Sequence, residues 1–241
     1  MISVKHIEVI VPARNEEQHI GQCLTAISAA RDRLGRDNRR VSCGVTVVVD
    51  CCTDRTAVRA AEFGALTVVG DYGRVGSARR AGAADAVIRS RLSGLPDETV
   101  WFANTDADSV VPAAWLTAQL QFADAGEDAV IGTVVPDGLT PDVEHRWRQR
   151  HTLAEGHAHV HGANLGVRAS TYLAAGGFAD VALHEDRDLV ERVKTVTRRW
   201  VATHRVSVTT SARLDSRVDG GFASYVAGLG GSELQGDATC A

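Results

Sequence analysis

The amino-acid sequence predicts an α/β fold built on a mostly parallel sheet. Three observations predict it. Short apolar runs, rich in β-branched residues, recur along the first half of the chain. Each run stops at a polar or glycine-containing turn. A segment with helical spacing of its apolar residues then follows, after a short connection. Strand and helix that alternate in this way build a parallel sheet covered on both faces.

The elements follow in order. Ile7-Glu8-Val9-Ile10-Val11 reads as a first strand, broken by Pro12-Ala13-Arg14-Asn15-Glu16-Glu17. A helix is predicted over about 18–33, with Leu24, Ile27 and Ala30 on its apolar stripe. Val45-Thr46-Val47-Val48-Val49 is a second buried strand that ends at Asp50. Thr53-Asp54 caps a helix over about 55–63. Leu66-Thr67-Val68-Val69 is a third strand, and Gly73-Arg74-Val75-Gly76-Ser77 opens a long helix over 78–92. The run Thr99-Val100-Trp101-Phe102-Ala103 is a fourth strand, and Pro112-Ala113-Ala114-Trp115 starts the next helix. The second half is less regular. Strands are expected at 129–135, 165–168 and 201–210, with helices over 142–155 and from Glu185 onward. A Gly/Ser-rich tail, 214–241, is expected to be flexible. The reading is one domain, 1–213, with a nucleotide-binding half over 1–110 and an acceptor half over 111–213.

Composition narrows the function. The 241 residues hold 26 Lys+Arg against 30 Asp+Glu, and no basic tract points to nucleic acid as a partner. No apolar run approaches the roughly 18 residues of a membrane span. The first residues carry no signal-peptide pattern. Five cysteines (Cys23, Cys43, Cys51, Cys52, Cys240) have no framework spacing, so the expected compartment is the reducing cytoplasm.

The chemistry concentrates at the ends of the predicted strands. Asp106-Ala107-Asp108 follows the fourth one, and alternation puts both carboxylates on one side. Paired carboxylates at a sheet's carboxyl edge are a seat for Mn2+ or Mg2+, which take hard oxygen ligands together with phosphate and water. Pro12 to Glu17, Asp50 and Gly73 to Ser77 fall at the same edge, where ligands of such sheets bind. His157, His159 and His161 alternate and so share a face, for which an acceptor-side or loop role is favoured over zinc. Trp147 sits in a polar helix, where it is a candidate for stacking on a sugar, while the other tryptophans are expected in the core.

Taken in order, these motifs together with Gly162-Ala163-Asn164, Gly176-Gly177-Phe178 and Glu185-Asp186-Arg187-Asp188-Leu189 resemble a family-2 glycosyltransferase of the GT-A fold, of the small bacterial type. The resemblance covers about 7–213. It implies transfer of a sugar from a nucleoside-diphosphate donor to an acceptor hydroxyl, with inversion, and a Rossmann-like nucleotide half. It implies that Pro12, Ala13, Arg14 and Glu16 surround base and ribose and that Asp50 hydrogen-bonds the base. Asp106 and Asp108 then hold ribose and metal–diphosphate, and Asp186 is the catalytic base. One arginine of the 74–80 segment, assigned as Arg79, reaches the diphosphate. Uridine is slightly preferred over guanosine, and the hydroxyl acceptor is not identified.

The chain also departs from the family pattern. Cys51 and Cys52 stand where an acid or Asn and a small residue are common. Val110 stands where some relatives carry a metal-binding Gln, and His204 is the candidate replacement ligand. Two other readings stay open on sequence. One is a nucleotidyltransferase-like enzyme, although its Gly-rich loop after the first strand is missing. The other is a non-catalytic nucleotide-binding homologue.

Overall fold

A computed structural model of the chain describes residues 2–151 and 153–212. The expected tail, 214–241, lies outside the described residues. The elements are β1 (His6–Ala13), α1 (Ile20–Asp37), β2 (Ser42–Asp50), α2 (Thr56–Glu62), β3 (Leu66–Gly70), α3 (Val75–Leu92), β4 (Val100–Asn104), β5 (Ser109–Val110), α4 (Trp115–Asp124), β6 (Ala129–Asp137), α5 (Pro141–Arg150), β7 (Leu165–Arg168), α6 (Ala169–Ala174), α7 (Glu185–Val196) and β8 (Trp200–Ser211). They form an eight-stranded sheet of order β3-β2-β1-β4-β7-β6-β8-β5. The first four positions are parallel, with Val9 beside both Val45 and Ala103. β7 enters antiparallel between β4 and β6, and β8 runs parallel to β6.

Strands buried on both faces explain the unbroken apolar runs. Val9 and Val11 of β1 pack with Ile20, Leu24 and Ile27 of α1 and with Trp115 and Leu116 of α4. Ile10 points the other way, to Ala83 and Ala86 of α3 and to Leu189 and Val193 of α7. β1 is therefore the spine of the sheet, and its carboxyl end is held rigidly between those of β2 and β4.

The structure differs from expectation in three places. The helix expected over 142–155 stops at Arg150. There the His151 ring N–H donates to the Trp147 carbonyl at 2.9 Å, so the side chain replaces the backbone donor that would extend the helix. The short elements β5 and α6 carry no periodicity of useful length and were not predicted. Trp200 is 37 % exposed, with Lys194 above its ring, while Trp101, Trp115 and Trp147 are buried.

Arg168 secures the second half to the first. Its guanidinium pairs with the buried Asp128 and donates to the carbonyls of Glu98, Ala123 and Glu127. Replacing it with Met removes all of these buried bonds and leaves Asp128 with Arg199 and Thr197 as its remaining partners. Arg168→Met is expected to cost about 3–5 kcal/mol in urea unfolding, the range for breaking a buried pair, whereas the exposed pair Arg148–Glu144 is expected to contribute under about 1 kcal/mol.

Candidate active site

Three parallel strands end side by side, and their loops are tied to one another before any ligand is considered. Asp50, the last residue of β2, accepts backbone N–H bonds from Tyr72 (2.7 Å) and Gly73 (2.9 Å) through Oδ1, which folds the β3–α3 loop over the strand end. The Cys51 thiol also donates to that oxygen. This hydrogen bond, with burial, holds the thiol above its ordinary range, so it stays protonated near neutral pH. The loops after β1 and β2 exchange bonds: Glu17 N–H to Asp54, Arg55 N–H to Glu17, Thr53 N–H to Asn15 and Asn15 N–H to the Cys52 sulfur. Cys52 in turn donates to the Ala13 carbonyl. Asn15 and Cys51 both have left-handed backbones, at φ 52° and 49°.

These loops enclose an open cleft of about 650 Å³ including its mouth, lined by Pro12, Ala13, Arg14, Glu16, Asp50, Gly73, Val75, Ala78, Asp106, Ala107 and Asp108. Ala107 is buried while Asp106 and Asp108 are half-exposed on its two sides, so the alternation of β4 persists beyond the strand. Among the described residues no three His, Cys, Asp or Glu side chains converge as a closed metal cage. The donor set is thus one or two carboxylates on an open cleft. That suits Mg2+ or Mn2+, which bring water and substrate phosphate as their other ligands.

Arg79 does not line the cleft. It lies beneath it, 2 % exposed, with one guanidinium nitrogen on Asp106 and another on Glu185. Burial opposes its charge, but Asp106, Glu185 and Asp186 outweigh that and hold its pKa above the ordinary value. Burial, opposed by Arg79, moves the Glu185 carboxyl upward. The space is tightly filled: a Cβ on Gly162 would stand 2.5 Å from the guanidinium, and one on Gly76 would stand 2.7 Å from the Ala179 carbonyl. The Phe178 ring lies 5.6 Å from the Arg79 charge.

Asp186 follows at the start of α7, after His184 with a left-handed φ of 62°. Its Oδ2 accepts the Gly162 N–H at 2.7 Å and its Oδ1 the Arg187 N–H at 2.7 Å. Beside it rises a column of rings. Trp147 stacks on His151 at 4.5 Å, His151 on His159 at 4.9 Å, and His159 touches His157 and His161 at 5.9 and 6.3 Å. The rings are stacked or tilted on one another, and among the described residues no group of three or more His, Cys, Asp or Glu could hold a metal ion. Burial pushes the His161 imidazole down to about 4, although the Asp186 carboxylate pulls the other way.

Comparison with known proteins decides the family. Residues 8–172 match the model of glycosyl transferase family 2. The chain belongs to that family. No curated protein sequence matches it. Among solved structures, S. aureus TarS 1-349 is 17 % identical with a TM-score of 0.59, over 87 % of this chain and 61 % of that one. Mannosyltransferase PcManGT from Pyrobaculum calidifontis, in complex with GDP-Man and Mn2+, is 18 % identical with a TM-score of 0.56, over 91 % and 59 %. Glucosyl-3-phosphoglycerate synthase from Mycobacterium tuberculosis, in complex with phosphoglyceric acid, is 16 % identical with a TM-score of 0.54, over 93 % and 78 %. The chain therefore spans about three fifths of the length of the first two. These likenesses show a GT-A fold, the one the motifs imply.

The family-2 motifs from the first half of the chain meet at the cleft. Pro12, Ala13, Arg14, Glu16, Asp50, Asp106 and Asp108 all line it. Arg79 and Asp186 are not among its lining residues: Arg79 lies beneath Asp106, and Asp186 is held by Gly162 next to Glu185. His204 is not brought there. It lies half-exposed on β8, 3.0 Å from Glu155. Trp147, a candidate for stacking on a sugar, is buried against His151 instead. Sequence reasoning missed the part played by Glu185 and Gly162. Their signals were present, a second acid next to Asp186 and a glycine opening the Gly-Ala-Asn motif, but the partner of each is distant in the chain. No helix of the described residues is long and apolar enough to cross a membrane.

The histidine column makes a pH prediction. His161 has its folded pKa below the unfolded value of 6.5. Its contribution to stability is therefore fully present above pH 6.5 and is lost as pH falls toward 4. Between pH 7 and 5 the wild-type chain should lose on the order of 1–2 kcal/mol more in urea unfolding than His161→Gln. Equal losses in the two proteins would refute the assignment.

Proposed function

We propose that this chain transfers a sugar from a nucleoside-diphosphate donor to an acceptor hydroxyl, with inversion at the sugar carbon and with Mn2+ or Mg2+ as cofactor. The observation that carries the reading is the cleft itself, where the ends of β1, β2 and β4 bring seven residues of the family-2 motifs, five of them charged, to one place. The donor base belongs between the 12–16 loop and Asp50. Asp50 Oδ1 is taken by the backbone of the next loop, and its Oδ2 is left to accept a base N–H. Uracil and guanine both offer such a donor. Uridine is taken as slightly preferred over guanosine, a weak preference because both bases offer that donor.

Asp108 is the main protein ligand of the cation, with Asp106 beside it, since Arg79 already occupies one side of Asp106. When bound, the cation neutralises charge on the departing nucleoside diphosphate. The presence of Mn2+ with GDP-Man in the P. calidifontis mannosyltransferase supports this class of cofactor. The acceptor hydroxyl has to lose its proton as it attacks, and Asp186 is the carboxylate assigned to take it. The N–H groups of Gly162 and Arg187 aim that carboxylate, and the neighbouring His161 stays neutral at pH 7 and does not compete for its charge.

Two variants test the assignment. Asp108→Ala should abolish Mn2+-dependent binding of UDP, measured by calorimetry, while leaving unfolding nearly unchanged. Undiminished Mn2+-dependent affinity would remove Asp108 from the metal site. Asp186→Asn should lower turnover by about 10²–10⁴-fold, the usual cost of losing a general base, and leave donor affinity within a factor of two. Near wild-type turnover would transfer the role to another group.

A further inference from the structure

Arg79 is the least expected feature of the site. A buried guanidinium with a donor-side carboxylate on one arm and an acceptor-side carboxylate on the other does not contact the cleft, yet it fixes what the cleft presents. Its partner Asp106 follows β4, and its partner Glu185 is the residue before Asp186. Gly162, whose N–H holds Asp186, is also the wall against which the guanidinium rests. Both anchors of Asp186, the backbone of residue 162 and the first turn of α7, are therefore set by where Arg79 lies. The Arg79 Nε is buried with no hydrogen-bond partner, so the fork is held by its two ends and by Phe178.

We propose that Arg79 is a positioning residue that sets the separation between the donor carboxylate Asp106 and the base Asp186, and that it acts through Glu185 and Gly162 rather than by touching the donor. The proposal rests on the glycosyltransferase reading above. A lysine cannot substitute. Its ammonium is a point charge that reaches one carboxylate at a time, whereas the planar fork holds two at a fixed distance. Displacement of a reacting group by about 1 Å is enough to cost on the order of 10²-fold in rate.

The test uses the full chain, Arg79→Lys, Glu185→Ala and the double variant. Donor affinity is read with UDP and Mn2+. Turnover is read as Mn2+-dependent hydrolysis of whichever UDP- or GDP-hexose the wild-type chain cleaves fastest. Arg79→Lys should lower turnover by about 10²-fold while the UDP dissociation constant stays within a factor of two. Glu185→Ala should lower turnover in the same way, and the double variant should be no slower than Arg79→Lys, because the two residues act as one unit. If Arg79→Lys instead raises the UDP dissociation constant and keeps turnover at saturation, Arg79 contacts the donor and the proposal is overturned. Multiplicative losses in the double variant overturn it as well. If Arg79→Lys fails to fold by near-ultraviolet circular dichroism, unchanged turnover in Glu185→Ala overturns it alone. A wild-type chain that hydrolyses no nucleotide sugar with Mn2+ overturns the proposed function and this inference together, which separates that failure from the others.

Discussion

A guanidinium sealed from water has to find its counter-charges inside the protein, and Arg79 finds them in segments that lie far apart in the chain. Asp106 is 27 residues away and Glu185 is 106. Removing Arg79 would leave the buried Glu185 without its cationic partner, a state that costs several kcal/mol. The neighbours are shaped to allow the arrangement. Gly162 leaves room behind the fork, Gly76 lets α3 approach the start of α7, and Phe178 covers the cation. Helix, strand end and the loops leading into β7 and α7 are thus brought into register by one charged group, with apolar packing filling in around it.

The antiparallel entry of β7 makes this possible. Asn104 at the end of β4 stands beside Leu165 at the start of β7. The segment leading into β7, which carries Gly162 and Asn164, therefore arrives at the same sheet edge as the loops leaving β1, β2 and β4. Asn164 braces that arrival by hydrogen bonds to Trp115 and to the carbonyls of Thr133 and Val206. A parallel strand in this position would have carried its leading segment to the opposite edge.

The first half of the fold was legible in the sequence because its signals are local. Valine runs give the strands, and the acids or proline at their ends mark the ligand edge. Asp50 and Asp106 were identifiable for that reason. Arg79 was singled out from its segment, but nothing local marks it as a buried residue. Its helix is rich in alanine and arginine, and an Arg-Arg pair on such a helix reads as a solvated face until α7 is packed against it. The end of α5 was misread because a histidine side chain, rather than a proline or glycine, terminates it. The stacking of His151 on His159 depends on a turn between them that no spacing encodes. What was lost is in each case a contact between segments that only the assembled chain brings together.

Asn15, Cys51 and His184 hold left-handed backbones at loops bordering the site, in a region that costs a residue with a side chain about 1 kcal/mol or more. Glycine would remove that cost. It would also enlarge the range of shapes each loop can take, both in the unfolded chain and around the cleft. The shape most favourable for the isolated chain and the shape most ready for a ligand are therefore different optima. At these three positions the chain gives up some stability and in return has loops already set, so that little ordering entropy remains to be lost when a ligand arrives.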